Sequence, residues 1–138
     1  MKDLNALISD ARILVVEDDA VIREILVDTL SDMGAFVRAV ETAQQGLRAI
    51  EEEPWTLLLT DIETPGSIDG LELAWFTSEK NFDTAIIVSS GGYKSITAKI
   101  PKNAKFLPKP WLQDSLLTAI RSQLEMQQLK KILAIELV

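Results

Sequence analysis

A chain of 138 residues with 47% hydrophobic and 25% charged side chains has the composition of one folded domain with a real core, not of a disordered or multidomain chain. Its formal charge of -7, from 14 basic and 21 acidic residues, argues against direct nucleic-acid binding, which needs a cationic stripe to displace counterions. With neither cysteine nor histidine, the chain itself supplies no disulfide, thiolate or imidazole, so its chemistry must rest on carboxylates, hydroxyls and lysine.

Residues 1–11 carry a weak apolar spacing (Leu4, Leu7, Ile8) that predicts a short leading helix or an arm. Ile13 to Val16 form a first buried strand, which ends abruptly in three acids, Glu17, Asp18 and Asp19. Ile22, Ile25, Leu26, Leu30 and Met33 then recur at helical spacing, with Gly34 as the stop. Phe36 to Val40 read as a second strand, and Thr42 is placed to cap a helix whose inner face is Ala43, Gly46, Leu47 and Ile50. Leu57, Leu58 and Leu59 are a continuous apolar run, the pattern of a strand covered on both faces, and it delivers Asp61 ahead of the Pro65–Gly66 turn. Leu71, Ala74 and Trp75 mark another helix, and Ala85 to Val88 a fourth strand ending in Ser89, Ser90, Gly91 and Gly92. The segment 93–104 is short and interrupted by Pro101, which predicts a degenerate helix there. Phe106 and Leu107 make a brief fifth strand before Pro108, Lys109 and Pro110, and a long last helix starts near Leu112 with Leu117, Ile120 and Leu124 on one face. No apolar run approaches the ~18 residues of a membrane span, and acids precede the first apolar run, so neither membrane insertion nor a secretory signal is expected and the cytoplasm is the default location.

Five strands alternating with helices predict an α/β fold: a doubly wound, flavodoxin-like parallel sheet of order 2-1-3-4-5. In that order the ends of strands 1, 3, 4 and 5 are neighbours, so Asp18, Asp19, Asp61, Ser90 and Lys109 converge on one crevice. Crowded carboxylates repel unless a cation neutralises them, and an all-oxygen set with open positions suits Mg²⁺. Asp61 is then placed to attack a phosphoryl group whose oxygens are held by Mg²⁺, the Ser90 hydroxyl and the Lys109 ammonium. Plainer roles compete. Asp18 or Asp19 singly suits a helix N-cap, Ser90 suits a glycine turn with Ser89 as an equal candidate, and a loop lysine is usually solvated, although Lys109 lies between two prolines.

The motifs ILVVEDD, LLLTDIETPG, DGLELA, IIVSSGG and FLPKPW, in this order over residues 12 to about 124, make the chain resemble the response-regulator receiver domain of two-component signalling. The resemblance implies that Asp61 accepts phosphate from the histidine of a histidine kinase or phosphotransfer protein, with Asp18 and Asp19 holding Mg²⁺ and the Glu63 backbone carbonyl completing the protein ligands. It further implies Ser90 as the hydroxyl switch, Lys109 as the phosphate-binding lysine ahead of a cis bond into Pro110, and Phe106 as the switch aromatic. Such a protein catalyses only its own phosphorylation and dephosphorylation and signals through a downstream protein target. Thr64 stands where the family commonly has Met, the loop GSIDG is one residue longer than usual, and Glu63 puts a carboxylate two residues after the acceptor. The expected organisation is an arm or short helix at 1–11, the receiver at 12–124 and a helical extension at 125–138, whose apolar residues (Met126, Leu129, Ile132, Leu133, Ile135, Leu137) suit either packing on the domain or a homodimer. Alternative readings are the receiver fragment of a larger transcription regulator or hybrid kinase, and a Mg²⁺-dependent phosphohydrolase. The latter usually carries its nucleophile on the first strand.

Overall fold

The structure is a computed structural model that describes residues 3–81, 83–92 and 99–136. The chain runs α1 (Leu4–Ser9), β1 (Arg12–Val16), α2 (Ala20–Asp32), β2 (Phe36–Val40), α3 (Ala43–Glu52), β3 (Leu57–Asp61), α4 (Gly70–Lys80), β4 (Ala85–Ser90), β5 (Ala104–Pro108) and α5 (Gln113–Glu136). All pairings are parallel and the sheet order is β2-β1-β3-β4-β5, as the strand-and-helix alternation predicts.

Side chains alternate across each strand, and that alternation builds two cores. Ile13, Val15, Leu57, Leu59 and Ile87 point to a core shared with Leu26 and Leu30 of α2 and Leu116, Ile120 and Leu124 of α5. Leu14, Val16, Leu58, Ile86 and Val88 face the opposite core with Ala49 and Ile50 of α3 and Leu73 and Ala74 of α4. Because β1, β3 and β4 are covered on both sides, they are continuous apolar runs in sequence. Buried Gln123 of α5 donates to the carbonyls of Ile86 (2.8 Å) and Asn103 (3.0 Å), fixing the last helix against the edge of the sheet.

The leading segment is a true helix: Asp3 caps it by accepting from Ala6 N, and Leu7 and Ile8 are buried in the α2/α5 core. Thr42 caps α3 through a capping box with Gln45, and Asp69 caps α4 through one with Glu72. Three apolar positions do not serve the core as their spacing suggests. Ile25 and Trp75 are exposed on α2 and α4, the Trp75 indole donating to Lys99 O at 2.7 Å, and Phe36 lies half open beneath the Arg12 guanidinium. The degenerate helix expected at 93–104 falls largely on 93–98, outside the described residues. Beyond Gln127, α5 leaves the domain: Leu129, Ile132 and Leu133 are about half exposed, and so is Met126 just before it. Ile135 and Leu137 lie outside the residues whose side chains are described.

Candidate functional site at the carboxyl ends of the strands

Asp61, Ser90 and Lys109 owe their places to strand ends. Asp61 is the last residue of β3, paired with Ser89 across the sheet, and Ile62 N continues the ladder by donating to Ser89 O at 2.9 Å. Ser90 ends β4 opposite Pro108, and Lys109 N donates to Ser90 O at 3.0 Å, so the lysine enters the crevice directly from β5. The Lys109–Pro110 peptide is cis. Gly70 at the start of α4 lies so close to β3 that a Cβ there would stand 1.7 Å from the Asp61 carbonyl oxygen. The glycine of the DGLELA motif therefore sets the backbone behind Asp61, a requirement that the sequence alone does not reveal.

Three carboxylates face one another, and they are not quite the expected three. Glu17, Asp18 and Asp61 bring oxygens within 4.8 Å of each other. Asp19 is the correction. It takes an extended conformation as the N-cap of α2, where its Oδ1 accepts from Val21 N (2.9 Å) and Ile22 N (3.0 Å). The physical reason is the change from strand to helix within the run: Glu17 still belongs to the sheet, its N–H bonding Val40 O at 3.0 Å, whereas two residues on the chain must satisfy orphan amide groups of α2. Glu17, overlooked as a site residue, is the inward acid. It is 3% exposed, with one oxygen accepting from Lys109 Nζ at 2.7 Å and the other from Asp19 N at 3.1 Å. Arg23 of α2 steadies this corner by donating to the Glu17 carbonyl at 3.0 Å and the Asp18 carbonyl at 3.4 Å.

Asp61 is 7% exposed; its Oδ2 lies 3.3 Å from Lys109 Nζ, while its buried Oδ1 has no hydrogen-bond partner among the described residues. Burial pushes its carboxyl pKa up from 3.8 to about 7, with Lys109 opposing and the charges of Glu17 and Glu63 adding to the rise. For Lys109, burial alone would lower the pKa, but the bond to Glu17 and the charge of Asp61 outweigh it and hold the ammonium above its usual value. A buried carboxylate oxygen with no donor, beside two further acids, is the arrangement a hard divalent cation satisfies: all ligands are oxygen and none is committed in Asp61 Oδ1.

The two serines separate cleanly. Ser89 Oγ donates to Leu107 O at 2.7 Å inside the sheet, so it is occupied structurally. Ser90, fully buried, donates its hydroxyl to the Glu63 carboxylate and accepts from Gly92 N at 3.1 Å. The Glu63 side chain thus faces Ser90 and does not join the group of three acids. Thr64, next along, accepts from Ala43 N at 3.4 Å and ties the loop after β3 to the start of α3. Phe106 is half-buried on β5 opposite Val88, packed against the α3/α4 core. Beside Lys109 lies an open apolar hollow of about 520 Å³, lined by Ile22, Ile25, Gly91, Lys109, Pro110 and Trp111. Exposed Ile25 thus borders the site instead of the core. Among the described residues no helix is long and apolar enough to cross a membrane.

Comparison with known proteins places the chain in a family. A family model for the response regulator receiver domain matches residues 13–121. The chain is 34% identical over 117 residues to the response regulator receiver protein CpdR of Brucella abortus (strain 2308), an alignment covering 82% of this chain and 96% of CpdR. It is 30% identical over 125 residues to the C4-dicarboxylate transport transcriptional regulatory protein DctD of Pseudomonas aeruginosa, but there 88% of this chain spans only 27% of the relative. Among solved structures, a CheY-like receiver domain protein from Methanospirillum hungatei JF-1 superposes with a TM-score of 0.77 at 29% identity, covering 87% of this chain and 98% of that one. The response regulator TrrA of Thermotoga maritima, solved in complex with Mg²⁺ and BeF, gives a TM-score of 0.71 at 28% identity over 82% of this chain and 98% of TrrA. Matched by the family model over residues 13–121 and by a 34% identical relative covered almost in full, the chain belongs to the response regulator receiver domain family.

Proposed function

We propose that this protein is a phosphoaspartate switch in which Asp61 takes a phosphoryl group from the histidine of a partner kinase or phosphotransfer protein. The carrying observation is the state of Asp61: buried at the end of β3, with one oxygen unpartnered among the described residues and the other beside the Lys109 ammonium. In the transfer, an Asp61 oxygen forms a bond to phosphorus while the donor's P–N bond breaks, its electron pair returning to the imidazole nitrogen. Lys109 supplies a fixed positive charge next to the oxygens on which negative charge gathers. Asp18 and Asp61, with Glu17 behind them, are the residues that would hold Mg²⁺; when bound, it neutralises the crowded acids and draws charge from the phosphoryl oxygens. Ser90 lies at the adjoining strand end, where its hydroxyl is assigned to the new phosphoryl group, and the partly buried Phe106 on neighbouring β5 is the aromatic that would repack with it.

The apolar hollow of Ile22, Ile25, Pro110 and Trp111 beside Lys109 suits the helical surface of a histidine-bearing partner, since it brings a nonpolar contact to the edge of the reacting group. Output passes through protein contacts, consistent with the net charge of -7. The chain spans nearly all of CpdR but about a quarter of DctD, so both a self-contained receiver and the receiver part of a larger regulator fit the relatives. The projecting α5, with Leu129, Ile132 and Leu133 half exposed, offers a contact to either a second copy or a following domain. The test is direct. Incubation with Mg²⁺ and acetyl phosphate should give a phosphoprotein, detected by intact mass, that Asp61→Ala abolishes; equal labelling of that variant would overturn the assignment.

A further inference from the structure

The Ser90 hydroxyl is already engaged on both sides. It donates its only proton to the Glu63 carboxylate and accepts from Gly92 N at 3.1 Å. A hydroxyl has one hydrogen, so Ser90 cannot donate to a phosphoryl oxygen on Asp61 and to Glu63 at once. Ser90 is fully buried at the end of β4, whereas Glu63 sits on the exposed turn after β3, 27 residues away in sequence. The bond therefore ties the acceptor loop to the end of the strand that must respond to phosphorylation. The adjoining Ser89 hydroxyl is committed to Leu107 O and does not take its place.

We propose that Glu63 is a latch: its side chain sequesters the Ser90 proton in the unphosphorylated protein, and activation requires Ser90 to exchange the Glu63 carboxylate for a phosphoryl oxygen. Glu63 is a positioning residue here, acting on the switch through Ser90 and not on the reacting atoms. The exchange replaces one charge-assisted hydrogen bond by another, so the equilibrium between the two settings depends on which acceptor holds the proton more strongly. Removing Glu63 frees Ser90 before any phosphate arrives. The protein is then biased toward the active setting, and Gly92, joined to the same hydroxyl, reports on the change.

This inference rests on the phosphoaspartate reading, and the experiment separates the two. In metal-free, unphosphorylated protein, the ¹⁵N-¹H resonance of Gly92 should shift in Glu63→Ala and stay near its wild-type position in Glu63→Gln, whose amide oxygen still accepts from Ser90. That measurement involves no phosphoryl transfer. A Gly92 resonance unmoved by Glu63→Ala, or moved equally by both variants, would refute the latch whatever Asp61 does. In the second arm, initial rates of phosphorylation by acetyl phosphate with Mg²⁺ are compared for wild type, Glu63→Ala, Ser90→Ala and the double variant. The latch predicts a several-fold rise on Glu63→Ala that shrinks to less than twofold when Ser90 is already alanine, because the effect runs through Ser90. An equal rise in both backgrounds means that Glu63 acts only by repelling the incoming anion, and overturns the latch while leaving Asp61 as acceptor.

Discussion

Asp61→Asn should stabilise the metal-free protein at alkaline pH, in a way that fades as pH falls. Burial lifts the Asp61 carboxyl from 3.8 to about 7, so above neutrality the folded state carries a buried anion that the unfolded chain carries in water. Folded Asp61 binds more proton than unfolded Asp61 between those two values. Stability therefore falls as pH rises through that window; the cost is complete above about 7 and absent below about 3.8. A shift of this size corresponds to about 4 kcal/mol at most. The variant also loses the carboxylate facing Lys109 Nζ at 3.3 Å, although Glu17 retains the lysine at 2.7 Å. We expect a net gain of about 2 kcal/mol at pH 8, roughly 6–10 °C in Tm for a domain of this size. Urea unfolding followed by circular dichroism in EDTA at pH 5, 6, 7 and 8 gives the difference between variant and wild type, which cancels the titration of all other groups to first order. The difference should be largest at pH 8 and less than half as large at pH 5. Excess Mg²⁺ at pH 8 should stabilise wild type by about 2–3 kcal/mol at a hundred times its dissociation constant and the variant much less, closing the gap. A difference that does not depend on pH, or a variant less stable than wild type at pH 8 without metal, would refute the picture of Asp61 as a strained buried carboxylate.

The division of labour among the three acids predicts that Asp18→Asn weakens Mg²⁺ binding at least about tenfold while Asp19→Asn changes it less than twofold, measured by titrating intrinsic tryptophan fluorescence, since Trp111 lines the cavity beside Asp61. Asp19→Ala, which removes the cap, should cost about 1 kcal/mol in urea unfolding. Gly70→Ala should cost about 3 kcal/mol and slow phosphorylation of Asp61 as well, because the new methyl would lie 1.7 Å from the Asp61 carbonyl and must push β3 and α4 apart; wild-type stability in that variant would show that the two elements are not in close contact.

The sheet was legible in the sequence because its signals are local. Leu57–Leu59 and Ile13–Val16 need no distant information to be recognised as strands covered on both faces, and Thr42 announces the start of α3 as its N-cap. Once the strands alternate with helices, right-handed crossovers leave little choice of topology, and the strand ends carrying Asp61, Ser90 and Lys109 must lie side by side. Chain alternation does not say which member of Glu17-Asp18-Asp19 faces inward. That depends on where the ladder lets go of Glu17 and the orphan amides of α2 claim Asp19. Nor do helical spacings reveal that Ile25 and Trp75 face outward, one bordering the hollow beside the site and the other holding the carbonyl of Lys99.

By itself, then, the sequence determined the elements, their order and the neighbourhood of Asp61, since hydrophobic period, caps and crossover handedness act over short stretches of chain. Only the tertiary structure decided the finer partnerships: Glu17 with Lys109 across 92 residues, Ser90 with Glu63 across 27, and Gly70 against the back of Asp61. Those are settled by where separate strand ends come to rest against one another, a distance of a few ångströms that no local propensity specifies.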